Sequence, residues 1–423
     1  MCDAHFLWKR IGPGVMMLAA VLGFVVRATL PGQAQTYSVL YNFCSQSQCT
    51  DGYGPSGQLI QDKSGNLYGT TYAGGAYNAG TVFELTTAGT EKVLYSFKGG
   101  PSDGASPAGP LVEDSNGNFY GVTSGGGAYG AGTVFELGSS GKETVLYGFT
   151  DGNDGGFPNG GLVRDAEGNL YGTTIDGGPY TCFEGYPCGV VFKVTATGIE
   201  SVVWAFTGGL DDGNPSAGLI GDAKGNLYGT TDQAWDFGPF PGIVFKVTPS
   251  GDFTTLFSFY NGATYGESPY GLLMLDAKGN VYGTTYYGGN LKGCTQNYPY
   301  EGCGVAYKIT PAGTEKVPHA FTRLGKDGQA PRAGFVQDAA GNLYSTTYYG
   351  GDHSCYDGNY YGCGVVYELP NLAKGKEIVV YTFTGGIDGE HPSSELAVDS
   401  KGSLYGTAAG GANGAGVLFK ITR

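Results

Sequence analysis

From residue 37 onward the chain is a succession of apolar stretches of four to seven residues, rich in Val, Leu, Tyr, Phe and Thr and bounded by Gly, Asp, Asn or Pro. Such short runs of β-branched and aromatic residues between turn formers predict strands and leave no window for a helix. One phrase recurs among them: GNLYGTT (65–71), GNFYGVT (117–123), GNLYGTT (168–174), GNLYGTT (225–231), GNVYGTT (279–285), GNLYSTT (341–347) and GSLYGTA (402–408), seven copies in all. Before it stands a stretch ending in Asp, such as GPLVED (109–114). After it come a second, such as GTVFEL (80–85), and, beyond a polar turn, a third, such as VLYSF (93–97). Each unit therefore supplies four strands, A to D, and seven such units predict an all-β, seven-bladed β-propeller of four-stranded antiparallel blades. A β-helix has shorter rungs, and a row of sandwiches would need each unit of about 50 residues to fold alone. The chain begins on a D-type strand, YSVLYNF (37–43), and ends on a C-type one, GVLFKIT (416–422). The N-terminal strand is therefore expected to complete the last blade, hiding the edges an open array would expose.

The Gly-Asn-Leu-Tyr-Gly-Thr-Thr and Gly-Thr-Val-Phe-Glu-Leu phrases resemble the GloVer tandem repeat of the choice-of-anchor tandem repeat GloVer-containing bacterial proteins, over residues 37–422. The resemblance implies an exported, repeat-built, β-propeller-like protein and carries no activity with it. Members often have a C-terminal sorting or anchoring segment, whereas this sequence reaches Arg423 directly after its last strand.

Composition refines this picture. The 79 glycines and 20 prolines of the 423 residues recur at fixed places among aromatics, which reads as turn-rich β structure rather than low complexity. A formal charge of −14 argues against nucleic acid or an anionic membrane as partner, because the 23 basic residues are scattered. At the N-terminus, Lys9-Arg10, an apolar run from Ile11 to Val26, and Gly32-Gln33-Ala34 form a secretory signal over residues 1–34, with cleavage expected after Ala34. The rival reading is an uncleaved anchor, although the run is short for a span of about 20 residues. Residues 35–423 would then be a single propeller domain, monomeric and without a membrane span. Beyond Cys2, the cysteines fall into close couples, Cys44/Cys49, Cys182/Cys188, Cys294/Cys303 and Cys355/Cys363, the pattern of loop-stapling disulfides in an exported chain. A metal site is the rival, but the spacings are irregular and no C-x-x-C occurs. The protein is expected to be secreted, periplasmic or displayed at the bacterial surface.

Length varies in one place. From the B-strand Tyr to the C-strand aromatic the chain takes 14 steps in the last unit (Tyr405 to Phe419) and 25 in the fifth (Tyr282 to Tyr307), so the B–C loops carry the variation, as binding faces of repeat proteins do. Three of the cysteine couples lie in these loops. So do Tyr72, Tyr77, Tyr129, Tyr180, Tyr186, Trp235, Phe237, Tyr298, Tyr300, Tyr356, Tyr360 and Tyr361, rings that either stack on a ligand such as a sugar or cover the loops as local mini-cores. The D–A connections on the same face repeat Asp-Gly followed by Pro, with Asp51, Asp103, Asp154, Asp212, Asp327 and Asp388. These acids cap their own turns or form a ring for Ca²⁺ and ligand hydroxyls. No H-E-x-x-H, G-x-S-x-G or P-loop occurs, no catalytic residue is singled out, and the weak metal candidates are His353, Asp388 and His391. The expectation is a binding or scaffold module for a carbohydrate, a cell-envelope polymer or a protein, with no cofactor other than a candidate structural Ca²⁺. The alternatives are a propeller glycoside hydrolase or polysaccharide lyase using two acids of that face, and a purely structural envelope protein.

Overall fold

The computed structural model describes residues 35–182, 185–209, 211, 213–215, 217–232, 242–259, 265–289, 294, 302–324, 326–351, 355, 361–370 and 377–423. In blade 1 the strands run Tyr53–Gln61 (A), Leu67–Ala73 (B), Thr81–Leu85 (C) and Glu91–Ser96 (D), hydrogen-bonded antiparallel in that order. The order repeats through seven blades. The last combines Ala397–Val398, Leu404–Ala408 and Val417–Thr422 with the N-terminal strand Thr36–Asn42, in the register Thr36↔Thr422, Tyr37↔Ile421 and Val39↔Phe419. The all-β, seven-bladed propeller and its closure by the N-terminal strand, expected from the sequence, are both present.

The repeated phrase is spelled by packing. Its Gly lies opposite the C-strand aromatic: Gly69↔Phe83, Gly121↔Phe135, Gly172↔Phe192, Gly229↔Phe245, Gly283↔Tyr307 and Gly406↔Phe419. A Cβ on Gly69 would stand 2.8 Å from the Phe83 ring and 2.9 Å from Leu59, so only hydrogen fits. Blade 6 places Ser345 opposite Tyr367 and ties the serine hydroxyl to the Ala333 carbonyl at 3.1 Å. The phrase's Tyr reaches back to the A–B turn, where the Tyr68 hydroxyl donates to Asp62 at 3.2 Å. The same carboxylate accepts the Ser64 and Asn66 amides at 2.8 and 2.9 Å. Its second Thr closes the other end of the strand, the Thr71 and Thr81 hydroxyls meeting at 2.8 Å.

Between blades the core is aromatic. The Phe ending each D strand packs edge-on against the C-strand aromatic of the next blade at all seven seams, from Phe43–Phe83 at 5.1 Å round to Phe383–Phe419 at 5.3 Å. Such pairs contribute about 0.5–1.5 kcal/mol each beyond the area they bury. Around the axis the A strands come so close that side chains are excluded. A Cβ on Gly57 would lie 2.3 Å from the Gly109 carbonyl oxygen, and one on Gly160 would lie 2.3 Å from Gly218. Gly57 and Gly109 also take φ of +75° and +71°, where the A strand leaves its sheet to turn toward the axis. These glycines form the floor of a pocket in which all seven A strands meet.

Candidate functional site

That pocket is an axial cup of about 300 Å³, and its wall comes from one column of the repeat, the residue after each A-strand Pro. The column reads Ser56, Ala108, Asn159, Tyr270, Arg332 and Ser393 in the six blades where it is described, so it turns from small to large in blades 5 and 6. Arg332 stands inside a cage of rings. Its guanidinium carbon lies 4.1 Å from the Tyr348 ring centroid, 4.8 Å from Tyr286 and 5.5 Å from Tyr270. Tyr286 and Tyr348 come from a second column, the position after the Thr-Thr of the B strand, which also supplies Tyr72 to the rim. Burial works against the charge of Arg332, and the surrounding tyrosines more than offset it, holding the guanidinium firmly protonated. His391 braces the cage, stacked on Tyr348 at 4.7 Å with the ring planes 12° apart.

The floor holds a second buried charge-bearing group. Glu395, buried, accepts the amide hydrogens of Leu272 at 2.9 Å and Gly334 at 3.3 Å, so one side chain from blade 7 fastens the A strands of blades 5 and 6. Burial pushes its pKa up, against the pull of these amides.

The residues singled out from the sequence fall into three groups. Tyr72 lines the cup, and Tyr77, Tyr129, Tyr180 and Tyr186 stand at least half exposed on the loops. Tyr361 lies under the guanidinium of Arg323 at 4.3 Å. Trp235, Phe237, Tyr298, Tyr300, Tyr356, Tyr360, Asp212 and His353 lie outside the described residues. The described acids of the D–A connections turn inward. Asp51 accepts the Tyr41 hydroxyl and the Ser45 amide at 2.8 Å, Asp103 the Tyr95 hydroxyl at 2.9 Å, Asp154 the Tyr147 hydroxyl at 2.8 Å and Asp388 the Tyr381 hydroxyl at 2.8 Å. In blade 4 it is Asp211 that closes the turn, through Thr207. Asp327 meets His319 at 3.1 Å, and with Glu377 these make the one group of three metal-capable side chains, within 4.8 Å, among the described residues. His319 holds the place that Tyr41, Tyr95, Tyr147 and Tyr381 hold at other seams, so the group is a seam contact with imidazole in the tyrosine's place. Among the described residues Asp388 and His391 do not join such a group.

The four disulfides, Cys44–Cys49, Cys182–Cys188, Cys294–Cys303 and Cys355–Cys363, are formed and mark a protein of an oxidising, extracytoplasmic compartment. Among the described residues no helix is long and apolar enough to cross a membrane. Arg332, Tyr270, Tyr286, Tyr348 and Glu395 escaped the sequence reading. The signal was present in the two columns above, where bulk and charge appear in adjacent units.

Fold and cup together define a repeat-built β-propeller with an axial recess. The chain belongs to the Gloeobacter/Verrucomicrobia repeat family, whose model matches residues 19–186, 184–355 and 288–423. No curated protein matches it. Among solved structures it is similar to virginiamycin B lyase from Staphylococcus aureus, with 13% identity and a TM-score of 0.55 over 92% of this chain and 99% of that one. It is also similar to a puromycin hydrolase variant, with 12% identity and a TM-score of 0.53 over 88% of this chain and 52% of that one. A third likeness is to PorZ, a surface component of the type-IX secretion system of Porphyromonas gingivalis, with 14% identity and a TM-score of 0.50 over 86% of this chain and 46% of that one. At these identities the likeness is one of fold.

Proposed function

We propose that the protein is an exported binding module that recognises a carbohydrate or a carbohydrate-containing cell-envelope polymer at the face bearing the axial cup. The observation that carries the reading is the cup itself: a recess of about 300 Å³ with Tyr72 and Tyr270 on its rim, each substantially exposed. Exposed rings held on short, rigid strands offer flat apolar faces at little entropic cost, which suits sugar rings. The fold alone does not choose a role, since its structural relatives include a lyase, a hydrolase and a secretion-system surface component. Export follows the same reading: cleavage after Ala34 leaves the closing strand, which begins at Thr36, intact.

The test is a glycan and polysaccharide array with the purified residues 35–423, with and without EDTA, in which bound wells are also assayed for released sugar. Binding that falls at least about tenfold in the Tyr72→Ala/Tyr270→Ala double variant supports the reading. Unchanged binding in that variant removes the cup from it, and released sugar turns the module into an enzyme. Loss of binding in EDTA would bring the Asp turns back as a Ca²⁺ site.

A further inference from the structure

The cup holds a cation without a counter-ion. Among the described residues no carboxylate stands within 4.0 Å of Arg332, whereas Arg423 meets Glu368 at 2.6 Å. Among the described residues the single hydrogen-bond contact of the Arg332 guanidinium is with the Tyr286 hydroxyl, at 3.5 Å, and its Nε is buried without a partner. Three aromatic faces offset part of the cost of taking the charge out of water, by roughly 2 kcal/mol for a desolvated cation, but they leave the hydrogen-bonding capacity of a planar fork unused. The other charge-bearing group of the cup does not fill it. Glu395 is committed to the Leu272 and Gly334 amides. The floor is closed by glycine backbones, and the volume sits at the lower end of the range of about 300–1,000 Å³ usual for small-molecule sites, so the cup suits a chain end rather than a threaded polymer.

We propose that the cup recognises a terminal carboxylated sugar unit, a uronate, whose carboxylate pairs with the free edge of Arg332 while its ring lies against Tyr270 or Tyr72. The pairing supplies the bidentate, charge-assisted hydrogen bonds the guanidinium lacks. It also reconciles an anionic ligand with a chain of formal charge −14: repulsion from distant acids is screened beyond about 8 Å at physiological ionic strength, and Arg332 presents a cation within the cup itself. A single terminal carboxylate fits this arrangement better than a dense polyanion. The inference rests on the carbohydrate reading above and narrows its ligand.

Calorimetric titration of residues 35–423 with oligosaccharides capped by glucuronate or galacturonate, beside the same oligosaccharides after carboxyl reduction, tests both levels. The wild type should prefer the acidic form by at least about tenfold, as a lost charge-assisted hydrogen bond implies. Arg332→Gln should abolish the preference by weakening the acidic form at least about tenfold more than the reduced form, and Arg332→Lys, which keeps the charge but not the fork, should retain part of it. Should Arg332→Gln fail to fold, the wild-type preference and the Arg332→Lys response decide alone. Equal affinity for acidic and reduced forms overturns the uronate inference and leaves the carbohydrate reading in place. Binding of neither form in either panel overturns both.

Discussion

At the scale of single residues, the seven copies of one phrase are a packing instruction. The Gly of Tyr-Gly-Thr-Thr is there because a C-strand ring occupies the space of its side chain: a Cβ on Gly172 would stand 2.5 Å from the Phe192 ring and 2.9 Å from Leu162. Gly172→Ala should therefore destabilise by about 1–3 kcal/mol through overpacking, measured by urea unfolding. The Gly172→Ala/Phe192→Leu double variant should recover part of the loss, and additive effects would show that the two do not share this space. This layer was legible in the sequence because the blades repeat it, with Ser345 in blade 6 and Ala408 in blade 7 as departures: Tyr to the A–B turn Asp, Gly beneath the ring, Thr to the B–C closure. The cup was not, although its residues lie in plain columns. A single unit contributes only a few side chains to it, so Tyr270 and Arg332 stand in separate units of the sequence, and only the packing of neighbouring blades brings them together. The acids of the D–A turns read in the sequence as caps of their own turns or as a ring of ligands, and in the structure Asp51, Asp103 and Asp388 accept hydroxyl hydrogens from D-strand tyrosines.

At the scale of elements, the seams set a pH dependence. Glu91, Glu143 and Glu200 open D strands against the Tyr–Asp pair of the preceding seam, with the Tyr95 hydroxyl 2.9 Å from Asp103 and 3.5 Å from Glu143. Burial first, and then the charge of the neighbouring Asp, push each of these glutamates from 4.5 to about 7. A carboxyl raised on folding contributes its full stability below its unfolded value and loses it as pH climbs through the folded one, so this contribution fades between pH 4.5 and about 7. The A–B turn acids Asp62, Asp114, Asp165, Asp222, Asp276 and Asp399 run the other way. Burial favours their protonation, but hydrogen bonds from turn amides and side chains outweigh it and hold them below 3.8. Their contribution is present above that value and lost beneath it. The melting temperature should therefore peak in the mildly acidic range, about pH 4–6. The Glu91→Gln/Glu143→Gln/Glu200→Gln variant should flatten the decline toward neutrality without moving the acid limb. A calorimetric series with its maximum above pH 7, or a triple variant that follows the wild-type curve, would refute the assignment.

At the scale of the whole molecule, the N-terminal strand decides whether seven similar units make a ring or an array. Thr36–Asn42 gives Val417–Thr422 its outer partner, and Phe43, fully buried, presses on Phe83 of the first blade at 5.1 Å. Losing Phe43 alone should cost about 3–5 kcal/mol, and removing the strand adds an unpaired edge on the last blade. The first and last described strands meet here, so failure of this pairing opens the ring and lets the A strands separate where the glycine floor holds the cup. Deleting residues 36–43 should therefore do more than lower stability. Unfolding should change from one cooperative transition to the graded loss of blades expected of an open array, and the chain should self-associate through the freed edge. A synthetic peptide of residues 36–43 added in trans should restore the association state of the full chain and, on the proposed function, oligosaccharide binding at the distant cup. A truncated chain that stays monomeric, melts in one step at the wild-type temperature and binds as before would mean that the other six seams hold the ring without this strand. Rescue of stability without rescue of binding would separate the closure of the ring from the shape of its centre.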